Sequence, residues 1–383
     1  MEARVALAQE LWNCAASQDD LAKVEALLVQ ARTIAKESNS ALEVAQEPVA
    51  ASKLARLLYQ EGRAAEAEPL LIEHGFSHRL STPVLCGGHA SCNPAGGEGG
   101  RGRAKGRDDL LAIVDDVFPE SMLAHLQALF DVDSPFWREH NYHSKSTGYF
   151  SYTHALDCPP SSNLDQIMHY LWKLAIVKFP EASRATRVEW WAHNRPHPSG
   201  HQLHFDSDNE GLGGVRNPIV TSVCYLSQGM GGPTLITDQN VSDSTLACTG
   251  WLVHPKKNRF VVFDGQVLHG VIPGRSFNPS HGSRRVTWMV AFWESITERG
   301  SAEEGPCASR NFPVEGQTKY TWCNSLFHKK DEWREEELSF DNHKSGADDA
   351  VSVAQVFSSV LRPGASEGEA TGMPQYDACF QGF

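Results

Sequence analysis

The chain has 383 residues, 41% of them hydrophobic and 21% charged, and a formal net charge of −13. Those values describe an ordinary globular protein with room for one large domain and an accessory region, and no apolar run approaches the ~18–20 residues that a membrane span needs. The acidic balance opposes general nucleic-acid binding, which requires clustered Lys and Arg to neutralise phosphates.

In chain order, Met1-Glu2-Ala3-Arg4 lacks the basic-then-apolar order of a signal peptide, and Asp19-Asp20 argue against an import presequence. Nine cysteines with no C-x-x-C pair read as reduced thiols. The expected compartment is the cytoplasm, with the nucleus as the alternative. Residues 1–80 carry helical periodicity: Leu7, Leu11, Leu21, Val24, Leu27 and Leu28 in one segment, Leu54, Leu57, Leu58, Ala67, Leu70 and Leu71 in another. The second segment, turning at Gly62, resembles a single tetratricopeptide-type hairpin. One unit is too few for a repeat array, so it is read as a separate helical accessory region able to dock a protein partner. Residues 81–107 are Gly-rich and read as a flexible linker, its basic run Arg101 to Arg107 included.

The main domain is expected over 108–298. Asp108 to Val114 reads as a strand, Pro119 opens a helix over Met122–Phe130, and a longer helix over Asn163–Phe179 turns Ile167, Leu171, Leu174, Ala175 and Val177 toward a core. Short β-like runs follow at Ile219–Leu226, Thr234–Thr237, Gly250–Val253, Phe260–Phe263 and Val286–Trp293. Turn residues separate them, which predicts a sandwich or jelly roll. Residues 299–383 read as an extension of uncertain order with one helix, Ala350 to Leu361.

Among the 17 histidines, only His204 is followed two positions later by an acid, Asp206. Side chains at i and i+2 of an extended strand leave the same face, so imidazole and carboxylate can converge on one ion. His269 follows a second apolar strand. Two His and one carboxylate leave part of an octahedron open, the ligand set of non-haem Fe(II) oxygenases. A zinc site from His193, His197, His201 and His204 is disfavoured, because Pro196, Pro198 and Gly200 would break the helix it needs.

The ordered series His204-Phe205-Asp206, Val220 to Leu226, Gly231-Gly232-Pro233, Pro255 to Phe263, His269-Gly270-Val271 and Gly282 to Thr287 resembles the Fe(II)/2-oxoglutarate-dependent dioxygenases, in particular their prolyl-4-hydroxylase-like branch. The resemblance covers roughly Asp108 to Trp293. It implies a mainly β fold with helices: a double-stranded β-helix (jelly-roll) core with supporting helices, preceded by the N-terminal α-helical region. It places the iron triad on His204, Asp206 and His269. The distal carboxylate of 2-oxoglutarate falls to Arg285 with Thr287, two residues on and on the same strand face, and to Tyr225. Arg284 stays open as the rival guanidinium, with Arg275 a minor candidate. His201 and Asp208 are candidates for orienting the ligands, and Trp190-Trp191 read as core.

The implied reaction is hydroxylation of a protein side chain, consuming O2 and releasing succinate and CO2, with ascorbate as a reductant. Two alternatives remain: a small-metabolite hydroxylase of the same superfamily, and a non-catalytic jelly-roll binding protein.

Overall fold

The computed structural model describes residues 1–88, 107–144, 150–208, 215–228, 231–275, 284–297, 308–327, 344–345, 350–360 and 378–383. Ten helices and sixteen strands run through these segments. The N-terminal region contributes α1 (Glu2–Cys14), α2 (Gln18–Glu37), α3 (Ala41–Val44), α4 (Glu47–Gln60), α5 (Ala64–Glu73), β1 (His78–Leu80) and α6 (Thr82–Leu85). Then come α7 (Arg107–Leu110), β2 (Leu111–Asp115), α8 (Glu120–Leu129), α9 (Pro135–Glu139), β3 (Phe150–Ala155) and α10 (Asn163–Lys178). The strands that follow are β4 (Arg187–Arg195), β5 (His201–His204), β6 (Val220–Tyr225), β7 (Thr234–Asn240), β8 (Gly250–Val253), β9 (Arg259–Asp264), β10 (Val267–Val271) and β11 (Arg285–Trp293). The C-terminal part adds β12 (Ala308–Asn311), β13 (Lys344–Ser345), β14 (Ala350–Val353), β15 (Phe357–Ser359) and β16 (Cys379–Phe380).

Two sheets carry the fold. One has eight strands in the order β12-β3-β4-β11-β6-β9-β2-β13, the other five in the order β14-β8-β7-β10-β5. Inside them, β4-β11-β6-β9 faces β8-β7-β10-β5, every pairing antiparallel. Along the chain these eight strands pass back and forth between the sheets, which is the double-stranded β-helix (jelly roll). Burial follows from that layering. Every residue of β6 and of β11 in the larger sheet is buried, because both faces are covered.

Three apolar layers result. Between the sheets lie Trp191, Val223, Ile236, Trp251, Val261 and Met289. The outer face of the larger sheet meets α8, α9 and α10 through Trp190, Trp288, Phe130, Phe136, Leu126 and Leu171. Helix α10 begins with a capping box, in which the Ser162 side chain and Asp165 satisfy each other's backbone N–H groups. Its stripe of Ile167, Leu171, Leu174 and Ala175 is buried as expected, but Val177, the last residue but one of the helix, is 67% exposed and faces away from the sheet.

The outer face of the smaller sheet is covered by the chain's two ends. Leu203, Leu235, Leu252 and Leu268 share a layer with Trp12, Leu28, Leu54, Leu57 and Leu71 of the N-terminal helices and with Val356, Phe357 and Phe380 of the C-terminal part. The N-terminal region is therefore continuous with the jelly roll, and the separate accessory unit expected from periodicity is corrected. Polar contacts hold the junction. Arg56 Nη1 donates to Pro198 O at 2.9 Å, Gln60 Nε2 to Pro273 O at 2.9 Å and His197 Nε2 to Trp12 O at 3.0 Å. The Arg56 guanidinium also lies 3.8 Å over the Trp12 ring.

Other expectations are corrected in detail. Within the 81–107 linker, residues 82–85 form α6 with Val84 and Leu85 buried against α4, and the glycine-rich 89–106 lie outside the described residues. Residues 107–110 are helical, so the strand expected from Asp108 starts at Leu111. Leu7 of α1 is 56% exposed, since Val5, Ala8 and Trp12 form the buried face. The helix expected over Ala350–Leu361 is instead β14 and β15. The first of these pairs with β8 (Val351 opposite Leu252) and the second with β1, so open sheet edges outweighed a weak helical pattern. The turn expected at Gly62 is present, with φ +77° in the link between α4 and α5.

Candidate metal centre and adjoining cleft

His204 ends β5 and His269 sits in the middle of β10, and the two are directly opposite in the antiparallel pairing, with ring centroids 4.4 Å apart. The register shifts just beyond, between His269 and Val271, where Gln202 and Leu203 of β5 stand opposite the single Gly270 of β10. Gly270 permits the close approach: a Cβ there would stand 2.8 Å from the His201 carbonyl oxygen. Asp206 follows β5, and its Oδ1 lies 3.4 Å from His204 Nε2 and 3.7 Å from His269 Nε2. Around a first-row divalent ion with ligands at about 2.1 Å, neighbouring octahedral donors stand roughly 3 Å apart. Both gaps thus close with small side-chain shifts, and the donor set fits such an ion.

The surrounding groups hold the donors in that arrangement. Thr221 Oγ1 donates to Asp206 Oδ2 at 2.8 Å, leaving Oδ1 facing the imidazoles, and Asn217 Nδ2 donates to the Asp206 backbone carbonyl at 2.6 Å. Each imidazole turns Nδ1 to a backbone carbonyl, His204 to Gln202 at 2.8 Å and His269 to Val267 at 3.0 Å. A carbonyl only accepts, so Nδ1 carries the proton and Nε2 is the free ligand atom. Burial opposes the Asp206 charge, but His269, His204 and Thr221 outweigh it and hold the carboxyl well below the usual range. Burial pushes His269 down to about 4, toward the neutral ligand form. His204 is lowered by burial and raised more by its hydrogen bond to Asp206, so a cation taken up there displaces a shared proton.

The triad opens into a cleft between the sheets. Its walls are Trp191 and His193 of β4, Thr221 and Val223 of β6, Thr234 of β7, and Arg285, Thr287 and Met289 of β11. Arg285 and Thr287 share the inward face of β11, whose cross-strand partners there are Arg195, His193 and Tyr225. Arg285 is 5% exposed, Nη2 reaches Thr234 Oγ1 at 3.3 Å, and neither its Nε nor the Thr287 hydroxyl has a hydrogen-bond partner. Burial lowers the Arg285 pKa while Tyr225 opposes the shift, and a guanidinium keeps its charge even so. Gly231 leaves room for this side chain, since a Cβ at that φ of +90° would lie 2.5 Å from Arg285 Cδ.

The other candidates separate. Arg284 points away from the cleft, with Nε on Asn194 Oδ1 at 2.5 Å and Nη2 on Asn194 O at 3.1 Å. Tyr225 lies under the Arg285 guanidinium, 5.3 Å from ring centroid to Cζ, but its hydroxyl is already shared with Thr234 Oγ1 at 2.6 Å. Arg275 lines neither the cleft nor the cavity beside it. His201 stacks on the His204 ring at 4.6 Å, whereas Asp208 turns to Arg216 and the Thr297 N–H. His197 points to Trp12, which removes it from any four-histidine cluster. Trp191 lines the cleft while Trp190 lies in the outer core. Thr221, Asn217 and Thr234 carried no sequence signal of their own, and His193 entered only through the disfavoured zinc group; strand alternation from Thr221 through Val223 to Tyr225 was the available clue.

Among the described residues a second acid–histidine group exists, Glu47, Glu73 and His74. Arg32 and Lys36 already bridge its carboxylates, so it is a neutralised surface network. Also among the described residues, no helix is long and apolar enough to cross a membrane.

No family model matches this chain. No curated protein sequence matches it either. Solved structures do. A prolyl-4-hydroxylase of Pseudomonas putida aligns at 19% identity over 48% of this chain and 91% of its own, with a TM-score of 0.30. A non-heme alpha ketoglutarate dependent carbocyclase from nogalamycin biosynthesis aligns at 11% identity over 55% and 90%, with a TM-score of 0.35. A viral collagen prolyl hydroxylase from Paramecium Bursaria Chlorella virus-1 aligns at 14% identity over 49% and 98%, with a TM-score of 0.30.

Proposed function

We propose that this chain is an Fe(II)- and 2-oxoglutarate-dependent dioxygenase that hydroxylates a side chain of a protein substrate. One observation carries the reading: a His-Asp-His donor set on one sheet faces a buried guanidinium, Arg285, on the other, which pairs with no carboxylate among the described residues, within a single cleft. Iron, 2-oxoglutarate and O2 bound there supply the oxidising chemistry, with succinate and CO2 as by-products and ascorbate as the reductant.

The protein's own part is binding, orientation and exclusion of water. His204, Asp206 and His269 would hold the metal, and three protein donors leave its remaining positions to ligands. Arg285 would pair with the distal carboxylate of the cosubstrate, and Thr287 Oγ1, two residues on, would add a hydrogen bond. Both unpartnered polar atoms are thereby satisfied, which removes a cost of about 1–3 kcal/mol for each buried group left unpaired. Tyr225 supports Arg285 from below. Trp191, Val223 and Met289 form the apolar wall that keeps water from the reacting position.

A small metabolite is the second substrate reading. It is favoured by a cavity of about 370 Å³ beside the cleft, a volume within the range of small-ligand sites. The test is succinate release from 2-oxoglutarate with Fe(II), run with peptide and small-molecule panels. Asp206→Ala is expected to abolish it and Arg285→Ala to raise the 2-oxoglutarate requirement far more than Arg284→Ala does. Full turnover in Asp206→Ala would place the chemistry elsewhere.

A further inference from the structure

The cavity beside the cleft lies along the free edge of β4, where β3 has stopped pairing: the β3 register ends at Trp190 and the strand continues to Arg195. His193 and His201 line both spaces, so the cavity opens onto the metal centre. Its chemistry is one-sided. Among the described residues that line it, the charged ones are Arg195 and Arg284 and none is Asp or Glu, in a chain whose net charge is −13. Arg195 is held only by the Gly200 carbonyl at 3.3 Å, and Arg284 only by Asn194; among the described residues neither meets a carboxylate.

Asn194 sharpens the picture. It is fully buried, its Oδ1 is taken by Arg284, and its Nδ2 donor has no partner. Tyr142 is already engaged too, its hydroxyl accepting from the Asn194 N–H at 3.2 Å and meeting His193 Nδ1 at 3.1 Å. What remains is a set of donors: the other N–H groups of two guanidiniums and the unpartnered side-chain amide of Asn194. A buried amide donor without an acceptor costs about 1–3 kcal/mol, and an oxyanion satisfies it together with both arginines.

We infer that this cavity binds an oxyanion of the primary substrate, a carboxylate or a phosphate monoester, through Arg195, Arg284 and Asn194. The inference rests on the dioxygenase reading for what happens next, since the anion would anchor the substrate while the position to be oxidised passes His201 toward the metal. In the protein-substrate reading the anchor is an acidic or phosphorylated residue near the modified one.

The test is isothermal titration of the full chain without added metal, so it needs no turnover. The probes are acetyl-aspartyl-amide, its neutral asparaginyl counterpart and inorganic phosphate. Saturable binding of at least one anion is expected, weakened about tenfold or more by Arg284→Gln and by Arg195→Gln, partly retained in Arg284→Lys, and changed less than twofold by Arg285→Gln. The tighter anion distinguishes carboxylate from phosphate. Unchanged thermal melting of the variants separates lost binding from lost folding. No saturable binding of either anion, equal binding of the asparaginyl amide, or loss through Arg285→Gln in place of the other two would overturn the inference. Absence of succinate release would defeat the dioxygenase reading and leave this titration intact.

Discussion

The two walls of the jelly roll differ in what stands behind them. The eight-stranded wall, which carries Arg285, Thr287 and Tyr225, is backed by α8, α9 and α10, with Trp322 and Leu326 of the C-terminal part packed into the same layer. The five-stranded wall, which carries His204 and His269, is backed by the N-terminal helices and the C-terminal strands, elements from the two ends of the polypeptide. Residues from the C-terminal part stand behind both walls, but the N-terminal helices stand behind the wall of the candidate metal centre, and the cosubstrate wall rests on α8, α9 and α10 instead. The chain ends are part of the site's scaffold: Arg56 and Trp12 hold the Pro196–Gly200 loop from which β5 and His204 emerge.

Four measurements bear on that contrast, taken from the largest expected effect to the smallest. Trp12→Ala removes a ring that is 1% exposed and the platform under Arg56, so unfolding in urea should show a loss of about 3–5 kcal/mol. Iron affinity should fall with it while the 2-oxoglutarate requirement changes little. If both constants moved equally, the walls would not be separable.

Acid should act on the other wall. His140 stacks between Phe150 and Tyr320 at 4.4 and 5.1 Å, gives one ring nitrogen to Phe136 O and the other to the Tyr152 hydroxyl, and burial pushes its pKa down to about 4. Its unfolded value is about 6.5. Between those two values the unfolded chain binds the proton and the folded chain does not, so stability falls as pH drops from about 6.5 to about 4, by roughly 3 kcal/mol in all, and this contribution is then spent. Denaturant midpoints across that window should show the decline in the wild type and a shallower one in His140→Phe. Identical slopes would remove His140 from the account.

Thr221→Val deletes the donor that orients Asp206 without changing the volume much. Iron affinity measured by competition with a chelator should drop about 10–100-fold, while thermal stability changes little. An unchanged affinity would mean that the two imidazoles alone orient the carboxylate. Smallest of all, Ser162→Ala opens the capping box of α10 and should cost about 1 kcal/mol, read as a lower melting temperature with unaltered metal binding.

Much of the architecture was legible because it is written in local periods. The apolar runs at Val220–Tyr225, Gly250–Val253 and Arg259–Asp264 form strands close to their expected bounds, and the stripe from Ile167 to Ala175 faces the core. Alternation along β11 also separated Arg285, which faces the cleft, from Arg284, which does not. The misread C-terminal helix has a definite cause. Val351 and Phe357 lie in segments with no strong period of their own, and open edges of β8 and β1 decided their conformation.

Sequence by itself determined which residues could serve as ligands, and that His204 and Asp206, two apart, leave the chain close together, because side-chain direction is set by backbone geometry within a few residues. Only the tertiary structure decided that His269 meets them, that Thr221 and Asn217 steer the carboxylate, that Trp12 and Arg56 stand behind β5, and that Arg195 and Arg284 flank one cavity. Those relations join segments far apart along the chain, and they exist only once sheet pairing and buried apolar surface have brought the segments into contact.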